Sequence, residues 1–90
     1  MKFVLNKCFG GGSMSEAATE ILDRNNHYDF DNTDIDLIAL IEKHGSDFCS
    51  GSYAKLEVVE IPDDATDWEL EEYDGIESIT YVVGGKLYHA

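Results

Sequence analysis

The sequence predicts a small α+β domain: a mostly antiparallel sheet with two helices on one face. Short apolar segments rich in β-branched and aromatic residues stand at both ends of the 90-residue chain, and two amphipathic segments lie between them. The predicted order is β-α-α-β-β-β-β, and its last strands are joined by short turns, which favours antiparallel pairing. The length and the lack of a linker or internal repeat predict one domain over residues 1–90.

The first strand is predicted over Lys2–Cys8, and three consecutive glycines end it. Ser13 and Glu16 form a capping box that starts a helix, which fades near Arg24. Thr33 is the expected N-cap of a second helix, which ends before a glycine at position 45. The apolar residues at helical spacing are Met14, Ala17, Ala18, Ile21 and Leu22 in the first helix and Ile35, Leu37, Ile38, Leu40 and Ile41 in the second.

The polar segment between the helices contains two aromatic residues, Tyr28 and Phe30, which we expect to fold back onto the core. After the second helix, residues 46–52 are predicted as a loop. Asp-Gly and Gly-Gly pairs mark two later hairpin turns. The strands predicted around these turns are Leu56–Ile61, Trp68–Tyr73, Ile76–Val83 and Lys86–His89.

Charge is the strongest functional signal in the sequence. Nineteen acidic residues oppose six basic ones, so the formal net charge is −13, and no Lys or Arg lies between Lys55 and Lys86. Direct binding to nucleic acid is disfavoured, because phosphate contacts need basic side chains. The same field attracts basic protein partners. A solvated face that only promotes solubility is the alternative.

A partner-binding surface is predicted where this acidic segment carries interleaved aromatic residues. Carboxylates on alternate residues of a strand stand about 6.6–7 Å apart. That spacing is close to the roughly 7 Å between successive phosphates of one nucleic-acid strand. The predicted residues are Glu57, Glu60, Asp63, Asp64, Asp67, Trp68, Glu69, Glu71, Glu72, Tyr73, Asp74 and Glu77.

The glycine-rich turn after the first strand is a second candidate site. A turn between a strand and a helix can hold a small anion with its backbone N–H groups. The residues concerned are Gly10, Gly11, Gly12 and Ser13. Neither of the standard nucleotide-binding glycine patterns is present, so a plain flexible turn is the alternative.

Metal and catalytic motifs are weak in this sequence. The acidic run Asp29–Asp36 suggests a calcium loop, but the EF-hand glycine and glutamate positions hold Asp34 and Leu40. Cys8 and Cys49 are expected to be free thiols in a reducing cytosol. We therefore expect no cofactor, no metal and no enzymatic activity. No apolar run has the length of a signal peptide or a membrane span.

Several segments together resemble a family of small acidic proteins encoded by bacteriophages and prophages. They are Asn-Lys-Cys-Phe-Gly-Gly at residues 6–11, Val-Val-Glu-Ile-Pro-Asp-Asp at 58–64 and Trp-Glu-Leu-Glu-Glu-Tyr-Asp-Gly at 68–75. Family members often continue with Phe-Gly-Leu-Ser after the first glycine pair, where this chain has Gly12-Ser13-Met14-Ser15. The resemblance implies a phage accessory protein in the cytoplasm of a bacterial host, and it brings no catalytic residues.

Three functional hypotheses follow. The first is an inhibitor that binds a basic host protein, such as a CRISPR effector or another defence nuclease, by imitating nucleic acid. The second is a binder of a small nucleotide signal at the glycine-rich turn. The third is a structural or regulatory phage protein whose acidic surface serves solubility only. A homo-oligomer that buries Trp68 and Tyr81 would fit this third hypothesis.

Overall fold

The centre of the molecule is a two-stranded antiparallel ribbon, seen in a computed structural model that describes all 90 residues. Strand β1 (Lys2–Asn6) pairs with β2 (Leu56–Glu60). Four consecutive residues of β1, positions 3 to 6, are buried. Because neighbouring side chains of a strand point to opposite faces, both faces of the ribbon are covered. This explains the unbroken apolar run at the start of the sequence.

A helical layer covers one face of the ribbon. It contains α1 (Glu16–Ile21), α2 (Ile35–His44) and the short α3 (Ser46–Cys49). The ribbon contributes Val4 and Leu56 to the core beneath these helices. The other buried members of this core are Met14, Ala18, Leu37, Ile38, Leu40, Ile41 and Cys49.

A three-stranded antiparallel sheet covers the opposite face of the ribbon. Strands β3 (Asp67–Tyr73), β4 (Ile76–Val83) and β5 (Lys86–His89) form it in the order β3-β4-β5. The second core lies between the two sheets, where the buried side chains are Phe3, Leu5, Ile61 and Ile79. The molecule is elongated as a result of this layering, with dimensions of 42 × 25 × 20 Å.

The predicted fold class and element order are confirmed. The five strands divide between two antiparallel sheets: β1, which is buried on both faces, pairs only with β2, and the last three strands form a separate meander. A short helix, α3, forms inside the predicted loop 46–52. Tyr28 is 62% exposed, contrary to expectation, whereas Phe30 packs against the helical core.

Both predicted helix starts are shifted along the chain. The N-cap of α1 is Ser15 instead of Ser13, and its hydroxyl accepts a hydrogen bond from Ala18 N. Residue 14 is extended and forms a β-bridge with residue 50, so the helix starts later. The N-cap of α2 is Asp34 instead of Thr33.

Asp34 holds the start of α2 through its carboxylate. One oxygen accepts hydrogen bonds from Asp36 N and Leu37 N at 3.1 and 3.0 Å. Both oxygens bind the guanidinium of Arg24, at 2.5 and 3.1 Å. Burial alone would raise the pKa of Asp34, but Arg24 and the backbone N–H groups outweigh it and lower that pKa.

Replacing Asp34 by Ala should lower the free energy of unfolding by about 2 kcal/mol, because an N-cap is lost and a half-buried guanidinium loses its partner.

Since its pKa is lower in the folded state, Asp34 stabilises the protein fully above the ordinary aspartate pKa of 3.8. The contribution falls as pH drops through the folded-state pKa. Urea unfolding between pH 7 and pH 3 measures both effects. In the matched control, Asp64→Ala removes an exposed carboxylate that makes no ion pair and should change stability by less than about 0.5 kcal/mol. An equal loss in both variants would contradict the role of Asp34.

Candidate functional site

A row of carboxylates lies on the solvent-facing side of β3. Asp67, Glu69 and Glu71 alternate along this strand, and they are called the acidic row below. The intervening Leu70 points the other way and packs on the core that contains Ile79. All three carboxylates are exposed, and β3 is an edge strand that pairs only with β4. The row therefore presents negative charges at intervals of about 6.6–6.8 Å.

No cation of the protein neutralises the acidic row. The residues opposite it on β4 are Val82, Thr80 and Ser78, which are uncharged. None of the three carboxylates takes part in an ion pair or a hydrogen bond within the protein. These charges are thus free to contact basic groups of another molecule.

The turn before β3 extends the negative surface. Asp63 and Asp64 are both exposed there. Asp63 binds the amino group of Met1 at 2.6 Å, and this hydrogen bond lowers its pKa. At the far end of β3, Tyr73 and Asp74 are also exposed. Seven of the twelve predicted partner-binding residues are therefore exposed between this turn and the end of β3: Asp63, Asp64, Asp67, Glu69, Glu71, Tyr73 and Asp74.

The other five predicted partner-binding residues point elsewhere or have contacts within the protein. Trp68 lies on the inner side of β3 against Phe3. Glu57 is half-buried on β2, and Glu60 stands opposite Lys2 at the end of the ribbon. The carboxylate of Glu72 accepts a hydrogen bond from Gly75 N at 2.6 Å.

Glu77 has a structural role that the sequence did not suggest. One oxygen of its carboxylate accepts a hydrogen bond from the backbone N–H of Asn6 at 2.8 Å, and the other accepts one from the Asn32 side chain at 3.2 Å. Lys7 also donates to the Glu77 carbonyl oxygen at 2.9 Å. Glu77 is half-buried and joins the three-stranded sheet to the ribbon, so its carboxylate is already occupied within the protein.

Asn6 is a second residue that joins the ribbon to the three-stranded sheet, and its role was not predicted from the sequence. It is 2% exposed, and its side chain donates to the carbonyl oxygens of Cys8 and Gly75 and accepts from Lys55 N. The sequence feature that could have indicated this role is the position of Asn6, a polar amide directly after the apolar run Phe3–Leu5. Buried polar groups need partners, so this pattern indicates a junction between chain segments.

The glycine-rich turn serves close packing. A Cβ atom on Gly75 would overlap the backbone of Gly10, and one on Gly10 would collide with the carbonyl oxygen of Tyr53. The turn does not open directly into a helix, because α1 begins only at Glu16. The expected strand–glycine–helix arrangement for anion binding at Gly10, Gly11, Gly12 and Ser13 is therefore not formed.

The surroundings of this turn also disfavour an anion. Gly10, Gly11 and Gly12 line a cleft of about 310 Å³ together with the carboxylates of Asp31, Glu72 and Glu77. No Lys or Arg is among the lining residues. The negative lining would repel a phosphate group.

Asp31 and Asp34 of the acidic loop accept hydrogen bonds that shape the loop and the start of α2. Asp31 accepts hydrogen bonds from the backbone and hydroxyl of Thr33, and Asp34 caps α2. No group of three or more His, Cys, Asp or Glu side chains is arranged to hold a metal ion. Cys8 and Cys49 are both free, and burial raises the pKa of the Cys49 thiol, which makes it a poor nucleophile.

The chain matches no known protein-family model, and no curated protein or solved structure shows significant similarity to it. None of its helices combines the length and apolar character needed to cross a membrane; α2, the longest, has ten residues.

Replacing Glu77 by Gln should lower the free energy of unfolding by about 1–3 kcal/mol, because an amide cannot accept the hydrogen bonds of both Asn6 and Asn32. The matched change Glu71→Gln removes the same charge from the acidic row. It should leave stability within about 0.5 kcal/mol, or raise it slightly by reducing charge repulsion. Urea unfolding of both variants is the measurement. Equal effects would show that Glu77 acts only through its charge.

Proposed function

We propose that this protein binds the basic surface of a nucleic-acid-handling protein and thereby excludes nucleic acid from that surface. The observation that carries the proposal is the acidic row, Asp67, Glu69 and Glu71, which is exposed, unpaired and on an edge strand. The function is one of binding and inhibition, without a reaction catalysed by this chain.

The geometry of the row supports imitation of a phosphate backbone. A strand repeats its side-chain direction about every 6.6–6.8 Å. Successive phosphates of one nucleic-acid strand are roughly 7 Å apart along their path. Lysine and arginine side chains that contact neighbouring phosphates can therefore contact neighbouring carboxylates of the row.

Electrostatics selects the class of partner. With a formal charge of −13, the protein repels nucleic acid and attracts a basic protein. Such a field mainly raises the association rate, and salt screens it over about 10 Å at 0.1 M ionic strength. Binding should accordingly weaken as salt is added.

The setting that fits this function is the cytoplasm of a bacterial host. The sequence resemblance to small phage proteins supports a host defence effector as the partner, a CRISPR nuclease or a similar enzyme. In this setting an anti-CRISPR-like inhibitor would leave the phage genome uncut.

Neutralising the acidic row tests the proposal. The triple variant Asp67→Asn, Glu69→Gln, Glu71→Gln should bind its partner about 5–100-fold more weakly, since each exposed ion pair contributes up to about 1 kcal/mol. The partner is first captured from bacterial lysate with tagged protein at low salt and identified by mass spectrometry. Affinities are then measured on the purified pair, with and without competing double-stranded DNA or RNA.

The control variant Glu20→Gln, Asp23→Asn, Asp47→Asn removes the same charge from the helical layer, where these side chains make no hydrogen bond or ion pair. It should retain nearly full affinity. Equal losses of affinity in the two variants would show that the acidic row contributes only through the net charge of the protein. A partner that nucleic acid fails to displace would contradict the imitation of nucleic acid.

A further inference from the structure

Strand β3 forms one edge of the three-stranded sheet, and no other segment of the chain pairs with that edge. All of its residues are exposed except Leu70, which is half-buried. The direction of its backbone groups follows from the other side of the sheet, where Ile79 and Ala90 exchange two hydrogen bonds at 2.9 and 2.8 Å. Successive residues of a strand direct their N–H and C=O groups to alternate edges, so those of Thr80 on β4 face β3.

Three residues of β3 therefore direct their backbone N–H and C=O groups away from the sheet. Glu69 stands opposite Thr80 and pairs with it, so its neighbours Trp68 and Leu70 face outward, and Glu72 does so as well. None of the backbone hydrogen bonds in the turns and loops reaches these outward groups. An exposed edge of this kind can pair with an extended segment of another chain.

The acidic row determines the charge that such a segment must carry. Its carboxylates stand on one face of β3, and residues directly opposite each other on antiparallel strands have Cβ atoms about 4.5–5.5 Å apart. A second copy of β3 would bring carboxylates against carboxylates, which destabilises the pairing. Lysine or arginine at alternate positions would instead stand opposite the acidic row. Glu69 and Glu71 would lie in the pairs without mutual hydrogen bonds, where the side chains are closer.

The opposite edge of the sheet, at β5, is a poorer match for a basic segment. This strand has only four residues and begins with Lys86, which repels basic side chains. On the face that it shares with the acidic row it carries Leu87 and His89, opposite Val82 and Thr80 of β4. It therefore presents no carboxylate to an added strand.

We propose that β3 takes up an extended segment of the basic partner as a fourth strand of this sheet, antiparallel to β3, with lysine or arginine opposite the acidic row. This inference rests on the proposed function and identifies the part of the partner that is recognised. Backbone hydrogen bonds hold the segment in register, and the carboxylates select its basic side chains. The intervening side chains face the same side as Trp68 and Leu70, and valine or threonine at those positions favours a strand.

The probe is a short synthetic peptide in which lysine or arginine alternates with valine. A comparison peptide has the same composition, but its basic residues are consecutive. The alternating peptide should bind at least about tenfold more tightly, because only its basic side chains all share one face of a strand. Isothermal titration calorimetry measures both affinities.

Methylation of the peptide backbone separates strand pairing from charge attraction. In the proposed arrangement the valine N–H groups face β3, and the N–H groups of the basic residues face solvent. Methyl groups on the valine nitrogens should weaken binding at least about tenfold, whereas those on the basic residues should leave it within about threefold. In the protein, the bound peptide should slow the amide hydrogen exchange of Trp68, Leu70 and Glu72 at least about tenfold, as measured by NMR.

Two matched variants test the pairing of charges across the strands. The double variant Glu69→Lys, Glu71→Lys should bind an alternating peptide that has glutamate in place of lysine and arginine, although the protein as a whole remains strongly negative. The control variant Glu20→Lys, Asp47→Lys makes the same change of net charge at exposed positions of the helical layer. It should not bind the glutamate peptide and should keep its affinity for the basic one.

The outcomes separate this inference from the proposed function. Equal affinities for the alternating and the consecutive peptide, or equal effects of the two kinds of methylation, would overturn strand pairing and leave the proposed function standing. Slower exchange at Leu87 and His89 instead of β3 would also overturn it, because the segment would then lie on β5. If neither basic peptide binds, the inference fails, and the capture experiment with the neutralised acidic row decides the proposed function independently.

Discussion

The structure depends on the burial of β1 on both faces while only one of its edges is paired with a strand. The apolar side chains of β1 join the helices to the three-stranded sheet, so the strand cannot be exposed to water. Its free edge still needs hydrogen-bond partners. Asn32 supplies them at Val4, with a backbone acceptor at 2.8 Å and a side-chain donor at 2.9 Å, and Glu77 supplies the acceptor for Asn6.

These hydrogen bonds at the free edge of β1 determine which acidic residues remain free to contact another molecule. Glu77 closes the free edge of β1, so its carboxylate is not free to contact another molecule. The inner face of the three-stranded sheet is occupied by the ribbon, so alternate residues of β3 must point outward. The acidic row is the direct consequence: the contacts that hold the sheet on the ribbon also fix the direction of its free carboxylates.

Much of the fold was predictable because its signals are local. The apolar run of β1, the helical spacing in α2 and the Asp-Gly and Gly-Gly turns depend on near neighbours in the sequence, and each predicted element exists. The predicted N-caps lie one or two residues too early, because Ser13 and Ser15 can both cap a helix, and so can Thr33 and Asp34. The bridge between residues 14 and 50 selects Ser15, and the ion pair with Arg24 favours Asp34. Ile35 fits the periodicity of a buried face, but no element of the fold covers it.

The fold class, the element order and the strong negative charge of the last third of the chain follow from local patterns in the sequence. The sequence also restricted the acidic row to one face of a strand, because alternation along a strand is a local property. The packing of the separate layers placed Glu77 between the three-stranded sheet and the ribbon and brought Gly10 into contact with Gly75. These contacts join residues far apart in the chain, and their formation depends on how separate layers pack, which no local pattern encodes.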